Sequence, residues 1–332
     1  MHLKINRNLC KLLAVLVAVL LLLLLLFAAL DKWIESRETS TSSEEELLAD
    51  ERVFFDGVPY VPRNHLDTVL LLGVDKYAAE TKDVGYVNSQ QTDFLLLLVM
   101  DRKAKSYTAV QLNRDTMTDM TVLGVRGEKA GTVNAQLALA HTYGSGKEDS
   151  CRNAVEAVSG LLYNVRIDHY VSFTMDAVAQ VNDIAGGVTL TVLDDMTSVS
   201  PKMVKGKSLT LTGNMALSYI RARQGLEDSS NLRRMERQRQ YLEELRKAVT
   251  VKMDSDDSFL LETLEQVSPY IHSDCSVNQL ATLYNNWNTY ENGGIKTTKG
   301  EAKVGEEYME FYPDETALKQ LVIDLFYDPV KE

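Results

Sequence analysis

The sequence predicts an α/β fold built as α/β/α layers, with a central mixed sheet flanked by helices and an N-terminal transmembrane helix ahead of it. Three observations predict this arrangement. Short, almost continuously apolar runs have the composition of strands that are buried on both faces. Segments with apolar residues at helical spacing alternate with these runs. One longer apolar run near the N-terminus has the length that a bilayer requires.

The longer run, residues 12–30, predicts a single transmembrane helix. Lys4, Arg7 and Lys11 precede it and acidic residues dominate the segment after it, so residues 1–11 are predicted to be cytoplasmic. The alternative is a cleaved signal peptide, but the run is longer than a usual signal core and no small-x-small cleavage motif follows it. The expected location is therefore the cell membrane, with a large extracytoplasmic domain.

Changes in composition predict the organisation of the rest of the chain of 332 residues. Residues 31–64 are rich in Ser, Thr and Glu and predict a stalk, because such a segment buries too little apolar surface to fold alone. Residues 65–250 are predicted to form the main domain, and residues 251–332 an extension that packs on it or continues it. The net charge of −12 excludes general nucleic-acid binding, since phosphate contacts require a basic surface.

The individual elements follow from the patterning of the chain. Strands are predicted at residues 67–74, 92–100, 106–112, 168–173, 188–193 and 304–311, with a hairpin turn at Lys103. Helices are predicted at residues 134–143, 149–163, 175–184, 212–223, 229–250 and 314–326, with two more after residue 254. Gly186-Gly187 supply a helix C-cap, and Ser229 or Ser230 an N-cap.

Two cysteines of the outer domain, Cys151 and Cys275, leave two interpretations open. An extracytoplasmic compartment permits a disulfide between them, and the alternative is a pair of buried free thiols. No Cys/His spacing indicates a zinc site. The scattered histidines are predicted to be structural; they are His65, His141, His169 and His272.

Acidic residues stand at the ends of predicted strands. Asp75 ends the first strand, Asp93 begins the second, and Arg114-Asp115 follows the third. Ligands of open α/β sheets gather at strand ends, and paired carboxylates suit Mg²⁺ that also binds substrate phosphates. The alternative is that each aspartate only caps a turn.

Six arginines within a short stretch of this acidic chain indicate an anionic ligand. They are Arg221, Arg223, Arg233, Arg234, Arg237 and Arg239. The planar guanidinium offers paired donors that match phosphate oxygens. Arg221 and Arg223 do not share a helix face, so both reach one ligand only if the helix ends there, as Gly225 suggests. The alternative is a solvated face neutralised by Glu227, Asp228 and Glu236.

Seven motifs occur in the order that is found in the LytR-CpsA-Psr family. They are Leu70 to Asp75, Thr92-Asp93, Asn113 to Thr116, Val133 to Ala135, Gly186 to Val188, Ala216 to Arg223 and Arg234 to Gln238. Residues 66–250 therefore resemble this family. The resemblance implies a transferase that moves a glycopolymer, with one phosphate, from a polyprenyl-pyrophosphate lipid to a hydroxyl of peptidoglycan. The polymer is a teichoic acid, a capsule or another wall polysaccharide, and the lipid tail lies in an apolar tunnel.

The resemblance also implies roles for particular residues. Asp75 and Asp93 would hold Mg²⁺, and one of them would accept the proton of the acceptor hydroxyl. With Arg114 they form the predicted catalytic group. The predicted pyrophosphate-binding residues are Arg221, Arg223, Arg234, Arg237, Gln238 and Gln91.

Two departures from the family pattern leave an alternative function open. Gln91 stands where the family has Arg, and Thr132 where it has Lys; neutral hydrogen bonds are weaker than charged ones. Lys129 is the nearest substitute in sequence. The alternative is a surface protein that binds polyprenyl phosphates without transfer. A membrane-bound transcriptional regulator is disfavoured, because the predicted cytoplasmic segment is too short for a DNA-binding domain.

Overall fold

The computed structural model describes residues 52–75, 90–124, 126–255, 259, 263, 266–276, 279, 286 and 289–330. The predicted cytoplasmic segment and transmembrane helix, and most of the predicted stalk, lie outside these residues. No helix in the described part of the chain is long and apolar enough to cross a membrane.

Strands and helices alternate along the described chain. The strands are β1 (Val53–Phe55), β2 (Val58–Pro62), β3 (Leu66–Val74), β4 (Thr92–Asp101), β5 (Ser106–Leu112), β6 (Met117–Leu123), β7 (Lys129–Gln136), β8 (His169–Thr174), β9 (Val188–Thr191), β10 (Ser208–Leu211), β11 (Ile271–Ser273), β12 (Glu291–Thr297), β13 (Gly300–Val304), β14 (Met309–Pro313) and β15 (Tyr327–Pro329). The helices are α1 (Lys147–Leu161), α2 (Met175–Ile184), α3 (Gly213–Arg221), α4 (Asn231–Ser255) and α5 (Glu315–Phe326), with 3₁₀ turns at Leu137–Leu139 and Ser268–Tyr270.

A six-stranded mixed sheet forms the centre, in the order β11-β8-β3-β4-β5-β12. Strand β4 runs antiparallel to β3 and β5, while β8 is parallel to β3 and β12 is parallel to β5. Residues from the extension after 250 therefore form both edge strands. Alternate side chains of the central strands enter two separate cores, and both cores are apolar because helices cover both faces. The predicted α/β class with a mixed sheet and flanking helices is confirmed.

The two cores explain why Cys151 and Cys275 are free thiols. Cys151 of α1 is buried in the core on one face of the sheet, whereas Cys275 packs against the core on the other face. A disulfide needs Cβ atoms about 4 Å apart, which a sheet between the two cysteines forbids. The disulfide interpretation is therefore wrong.

Local patterns predicted the central elements well and the peripheral hairpins poorly. The strand at 106–112 and the helix at 175–184 match the structure, and Ser230 caps α4 by accepting a hydrogen bond from Arg233 N (3.2 Å). The helix predicted at 134–143 is wrong, because β7 pairs with β6 up to Gln136. The strand predicted at 304–311 is instead a hairpin of β13 and β14.

Candidate active site

Three chain segments meet at one end of the central sheet. Val74 of β3 lies opposite Thr92 of β4, and Leu95 of β4 lies opposite Leu112 of β5. The antiparallel register therefore brings Asp75, Asp93 and the Arg114-Asp115 pair to the same edge, as the strand ends in the sequence suggested.

Asp93 is the centre of a buried ionic cluster. Arg114 donates a hydrogen bond to its Oδ1, and Arg234 of α4 donates to the same atom at 3.2 Å. Burial raises the pKa of Asp93, but the two guanidiniums more than offset this effect and the net pKa is lowered. Asp93 is therefore an anion at neutral pH.

The two arginines of this cluster have unused donors. The Nε atoms of Arg114 and Arg234 are buried and make no hydrogen bond within the described part of the chain. Burial lowers the pKa of Arg234 to about 10, so its side chain remains charged at neutral pH. Buried charged donors without acceptors are costly, and an anionic ligand would satisfy them.

A cavity opens directly beside the cluster. Its lining includes Asp93, Arg114, Arg221, Arg223 and Arg234, together with Ser218 and Gln224. Helix α3 ends at Arg221, and Ala222 has an extended ψ of 135°. The chain therefore leaves the helix between Arg221 and Arg223, which lets both side chains line one cavity. We call this cavity the cationic pocket.

Two further predicted residues contact the pocket's charged groups. Asp75 accepts a hydrogen bond from Arg221, and both side chains are about half exposed. Gln91 accepts a hydrogen bond from Arg114 through its Oε1. Gln91 thus orients Arg114 by a neutral hydrogen bond and adds no positive charge.

Arg237 does not line the pocket. It is 1% exposed, and it donates to the carbonyls of Tyr219 (2.9 Å) and Ala222 and to Asp194 (2.7 Å). These bonds fix the end of α3, from which Arg221 and Arg223 project. Arg237 therefore supports the end of α3 and, with its donors already bound, is not placed for the predicted direct contact with pyrophosphate.

An apolar cavity of about 90 Å³ lies between the sheet and helices α2 and α4. Its walls are almost entirely hydrophobic, and include Leu71, Phe94, Phe173 and Leu245. Gln238 lies in its wall rather than in the cationic pocket, and its amide donates to the carbonyl of Ile220 (3.3 Å). Since Ile220 lines the apolar cavity and Arg221 lines the cationic pocket, the two spaces adjoin at α3.

Sequence reasoning gave no role to two aspartates of this region, of which Asp115 is buried and Asp194 partly buried. Asp115 is buried behind Arg114, and burial raises the pKa of its carboxyl group despite the nearby arginines. Asp194 accepts from both Arg233 and Arg237 at 2.7 Å. Their only sequence signal is an acidic residue directly after a strand or beside one, which many turns share.

The proposed substitute for the missing lysine lies elsewhere. Lys129 pairs with Leu123 at the far end of the β6–β7 hairpin, whereas Gln136 at the near end contacts Asp115. Seven residue steps along the strand separate Lys129 from Gln136, roughly 20 Å. Lys129 therefore does not replace a charge in the pocket.

Asp75 and Asp93 fit the ligand preference of Mg²⁺. Both present carboxylate oxygens at one strand edge, and Asp93 is held ionised. In the described chain the one cluster with three potential metal ligands is different: His169, Asp274 and Cys275. It lies at the opposite end of β8, so it is unrelated to the cationic pocket.

The fold and the pocket together define a mixed α/β protein that presents clustered arginines beside an apolar cavity. The family model described as LytR_cpsA_psr matches residues 31–324. The chain belongs to the LytR-CpsA-Psr family.

Solved structures share this fold at low sequence identity. Protein gbs0355 from Streptococcus agalactiae is 20% identical, covering 78% of this chain and 87% of its own, with a TM-score of 0.62. TagT bound to LI-WTA is 19% identical, covering 79% and 90%, with a TM-score of 0.58. TagV of B. subtilis is 21% identical, covering 79% and 96%, with a TM-score of 0.56. A search of curated proteins gave no match.

Proposed function

We propose that this chain is an extracytoplasmic transferase that moves a glycopolymer with one phosphate from a polyprenyl-pyrophosphate carrier to a hydroxyl of peptidoglycan. The observation that carries the proposal is the junction of the cationic pocket with the apolar cavity at Ile220 and Arg221. A polyprenyl pyrophosphate has the same two chemical parts, an anionic head and an apolar chain. Family membership and the likeness to TagT bound to LI-WTA support a cell-wall glycopolymer as the donor.

The reaction needs charge stabilisation more than a protein nucleophile. The acceptor hydroxyl attacks the phosphorus next to the polymer, the bond from that phosphorus to the bridging oxygen breaks, and polyprenyl phosphate leaves with the electron pair. The arginines of the cationic pocket stabilise the charge on both phosphates. Asp93 is a weak base because two guanidiniums hold it as an anion. Asp75, which pairs with Arg221 alone, is the other carboxylate in place to accept the hydroxyl proton.

Mg²⁺ belongs to this proposal as a cofactor held by Asp75 and Asp93. Bound there, it would neutralise charge on the pyrophosphate. The arginines that pair with these aspartates would then have donors available for phosphate oxygens.

The membrane is part of the same proposal. A transmembrane helix at residues 12–30 with a cytoplasmic N-terminus would hold the domain outside the cell. That position keeps the apolar cavity close to lipid-linked donors.

A transfer assay tests the proposal. The full chain in detergent micelles would receive a polyprenyl-pyrophosphate oligosaccharide, peptidoglycan oligomers and Mg²⁺, and mass spectrometry would follow polyprenyl phosphate. We expect release that requires Mg²⁺ and that falls by roughly 10²-fold or more in Asp75→Asn. Asp324→Asn, on the exposed side of α5, is the matched control and should transfer normally.

The second candidate function is binding of polyprenyl phosphates without transfer, which the neutral Gln91 and Thr132 favour. Lipid that stays bound and uncleaved with every acceptor would establish it and refute the transferase. Gln91→Arg would then test the cause, because it adds the charge beside Arg114 that the family pattern has.

A further inference from the structure

The β13–β14 hairpin carries a row of three polar or aromatic side chains, Tyr308, Glu310 and Tyr312. Glu310 and Tyr312 are two residues apart in β14, so the alternation of the strand places them on the same side, and Tyr308 immediately precedes the strand. Phe311, between Glu310 and Tyr312, points the other way and is fully buried against the domain. Glu310 and Tyr312 therefore lie on the face of β14 opposite to Phe311, and Tyr308 is exposed at the start of the same strand.

The aromatic rings of this row are exposed but their hydroxyl groups are bound. Tyr308 is 62% exposed and Tyr312 is 42% exposed. The Tyr312 hydroxyl donates to Glu310 Oε2 at 2.6 Å, and a hydrogen bond to Glu307 raises the pKa of Tyr308. Each ring is thus held beside a carboxylate. Lys303 Nζ lies 5.4 Å from the centre of the Tyr312 ring, and the remaining exposed ring surface is open to a ligand.

Main-chain contacts connect the row to the active-site loop. Phe311 N donates to the carbonyl of Asp115 at 2.8 Å, and Gln136 Nε2 donates to the carbonyl of Met309 at 2.6 Å. Asp115 directly follows Arg114 of the cationic pocket. The two tyrosines are four residues apart in the chain, on either side of Glu310.

The charge of the hairpin differs from that of the pocket. Its acidic residues are Glu301, Glu306, Glu307 and Glu310, and its one basic residue within β13 and β14 is Lys303. A phosphate-bearing donor is attracted by the arginines and repelled by this hairpin. The hairpin therefore suits the substrate that carries no phosphate.

We propose that the row of Tyr308, Glu310 and Tyr312 binds sugar rings of the acceptor glycan next to the phosphate-transfer pocket. Flat aromatic rings pack against the apolar faces of pyranose rings, and carboxylates accept hydrogen bonds from sugar hydroxyls. The inference deepens the proposed transferase function and rests on it, since it assigns the acceptor a place.

Binding of a glycan without any donor tests the row directly. The full chain in detergent micelles would be titrated calorimetrically with a peptidoglycan tetrasaccharide that lacks stem peptides. We expect the Tyr308→Ala/Tyr312→Ala double variant to bind the tetrasaccharide at least about tenfold more weakly than the wild type. The Tyr308→Phe/Tyr312→Phe variant should stay within about threefold of the wild type, because it retains both rings.

Tyr163→Ala is the matched control. Tyr163 is 40% exposed and has Lys319 over its ring at 5.7 Å, as Tyr312 has Lys303 at 5.4 Å, but it follows α1 rather than lying in the hairpin. This variant should bind the tetrasaccharide like the wild type. Thermal unfolding of each variant would show that the chain is folded.

The transfer assay separates failure of this inference from failure of the proposed function. We expect the double alanine variant to raise KM for the acceptor while its affinity for the lipid pyrophosphate stays unchanged. If the double alanine variant transfers normally, with an unchanged acceptor KM and unchanged glycan affinity, the sugar-binding role of the row is contradicted and the transferase function is not. Glycan binding that depends on the tyrosines, without transfer by the wild type, would support the row as a sugar site and refute the transferase.

Discussion

Two pairs of arginines surround two aspartates near the start of α4, and they differ in how many of their donors already have acceptors. Arg233 and Arg237 share Asp194, and the remaining donors of Arg237 reach backbone carbonyls at the end of α3. Arg234 shares Asp93 with Arg114, and the Nε atoms of this pair make no hydrogen bond in the described chain, although Arg114 Nε lies 3.5 Å from Asp115 Oδ1.

The comparison shows that burial and charge alone do not identify a ligand-binding arginine. Arg237 and Arg234 are both almost fully buried, and each pairs with an aspartate. Because the donors of Arg237 are satisfied within the protein, Arg237 stabilises the fold. Removing it would leave Asp194 without one of its charge partners. The unsatisfied Nε donor of Arg234 favours the proposed role in binding an anion, whose oxygens would complete the hydrogen bonds.

The largest effect is expected when the satisfied pair of Arg237 and Asp194 is broken. Arg237→Ala leaves Asp194 without one of its buried partners and frees the carbonyls at the end of α3, so the free energy of unfolding should fall by about 3–5 kcal/mol. Urea unfolding followed by circular dichroism measures this loss. Arg152→Ala, which removes an exposed pair with Glu148, should cost under about 0.5 kcal/mol. Equal losses in the two variants would contradict the structural role.

The next largest effect is expected when Arg234 is removed from the pair that it forms with Asp93. Arg234→Ala removes a donor to the transferring phosphate, so the transfer rate should fall by roughly 10²-fold. Stability should fall less than in Arg237→Ala, because Asp93 keeps Arg114 as its partner and no backbone carbonyl loses a donor. A variant that loses stability but transfers at the wild-type rate would reverse the assignment of the two groups.

A smaller effect comes from His141, which is buried against the carbonyl of Gln90 instead of lying in an ion pair of this kind. Burial lowers its pKa to about 4, below the value of 6.5 expected in the unfolded chain. As pH falls from 6.5 towards 4, the unfolded chain binds the proton before the folded chain does. The free energy of unfolding therefore decreases as pH falls, by roughly 2 kcal/mol at pH 5. His141→Gln should lose this share of the pH dependence. If the melting temperatures of the wild type and the variant shift equally between pH 7 and pH 5, His141 is not the source of the pH dependence.

The sequence predicted the site where local signals decide the structure. Apolar runs that end at Asp75, Asp93 and Arg114 located the sheet edge, and Gly225 indicated the end of α3 near Arg221. Long-range pairing decided the rest. The strand Lys129–Gln136 depends on its partner at Met117–Leu123, which helical spacing does not reveal.

The separate roles of the arginines also depend on contacts distant in sequence. Arg234 and Arg237 are three residues apart on one helix, and only the positions of Asp93 and Asp194 distinguish them. The exposed tyrosine row was missed for a related reason. A single strand was predicted at 304–311, whereas the turn inside this range creates the face that carries Tyr308 and Tyr312.

The most direct test of the central claim is the affinity of the full chain for a short polyprenyl pyrophosphate, measured beside the corresponding monophosphate. We predict that the wild type prefers the pyrophosphate, that Arg234→Ala weakens its binding by about tenfold or more, and that Arg233→Ala leaves it nearly unchanged. Equal affinities for the two lipids, or an Arg234→Ala variant that binds the pyrophosphate like the wild type, would contradict the assignment of the cationic pocket.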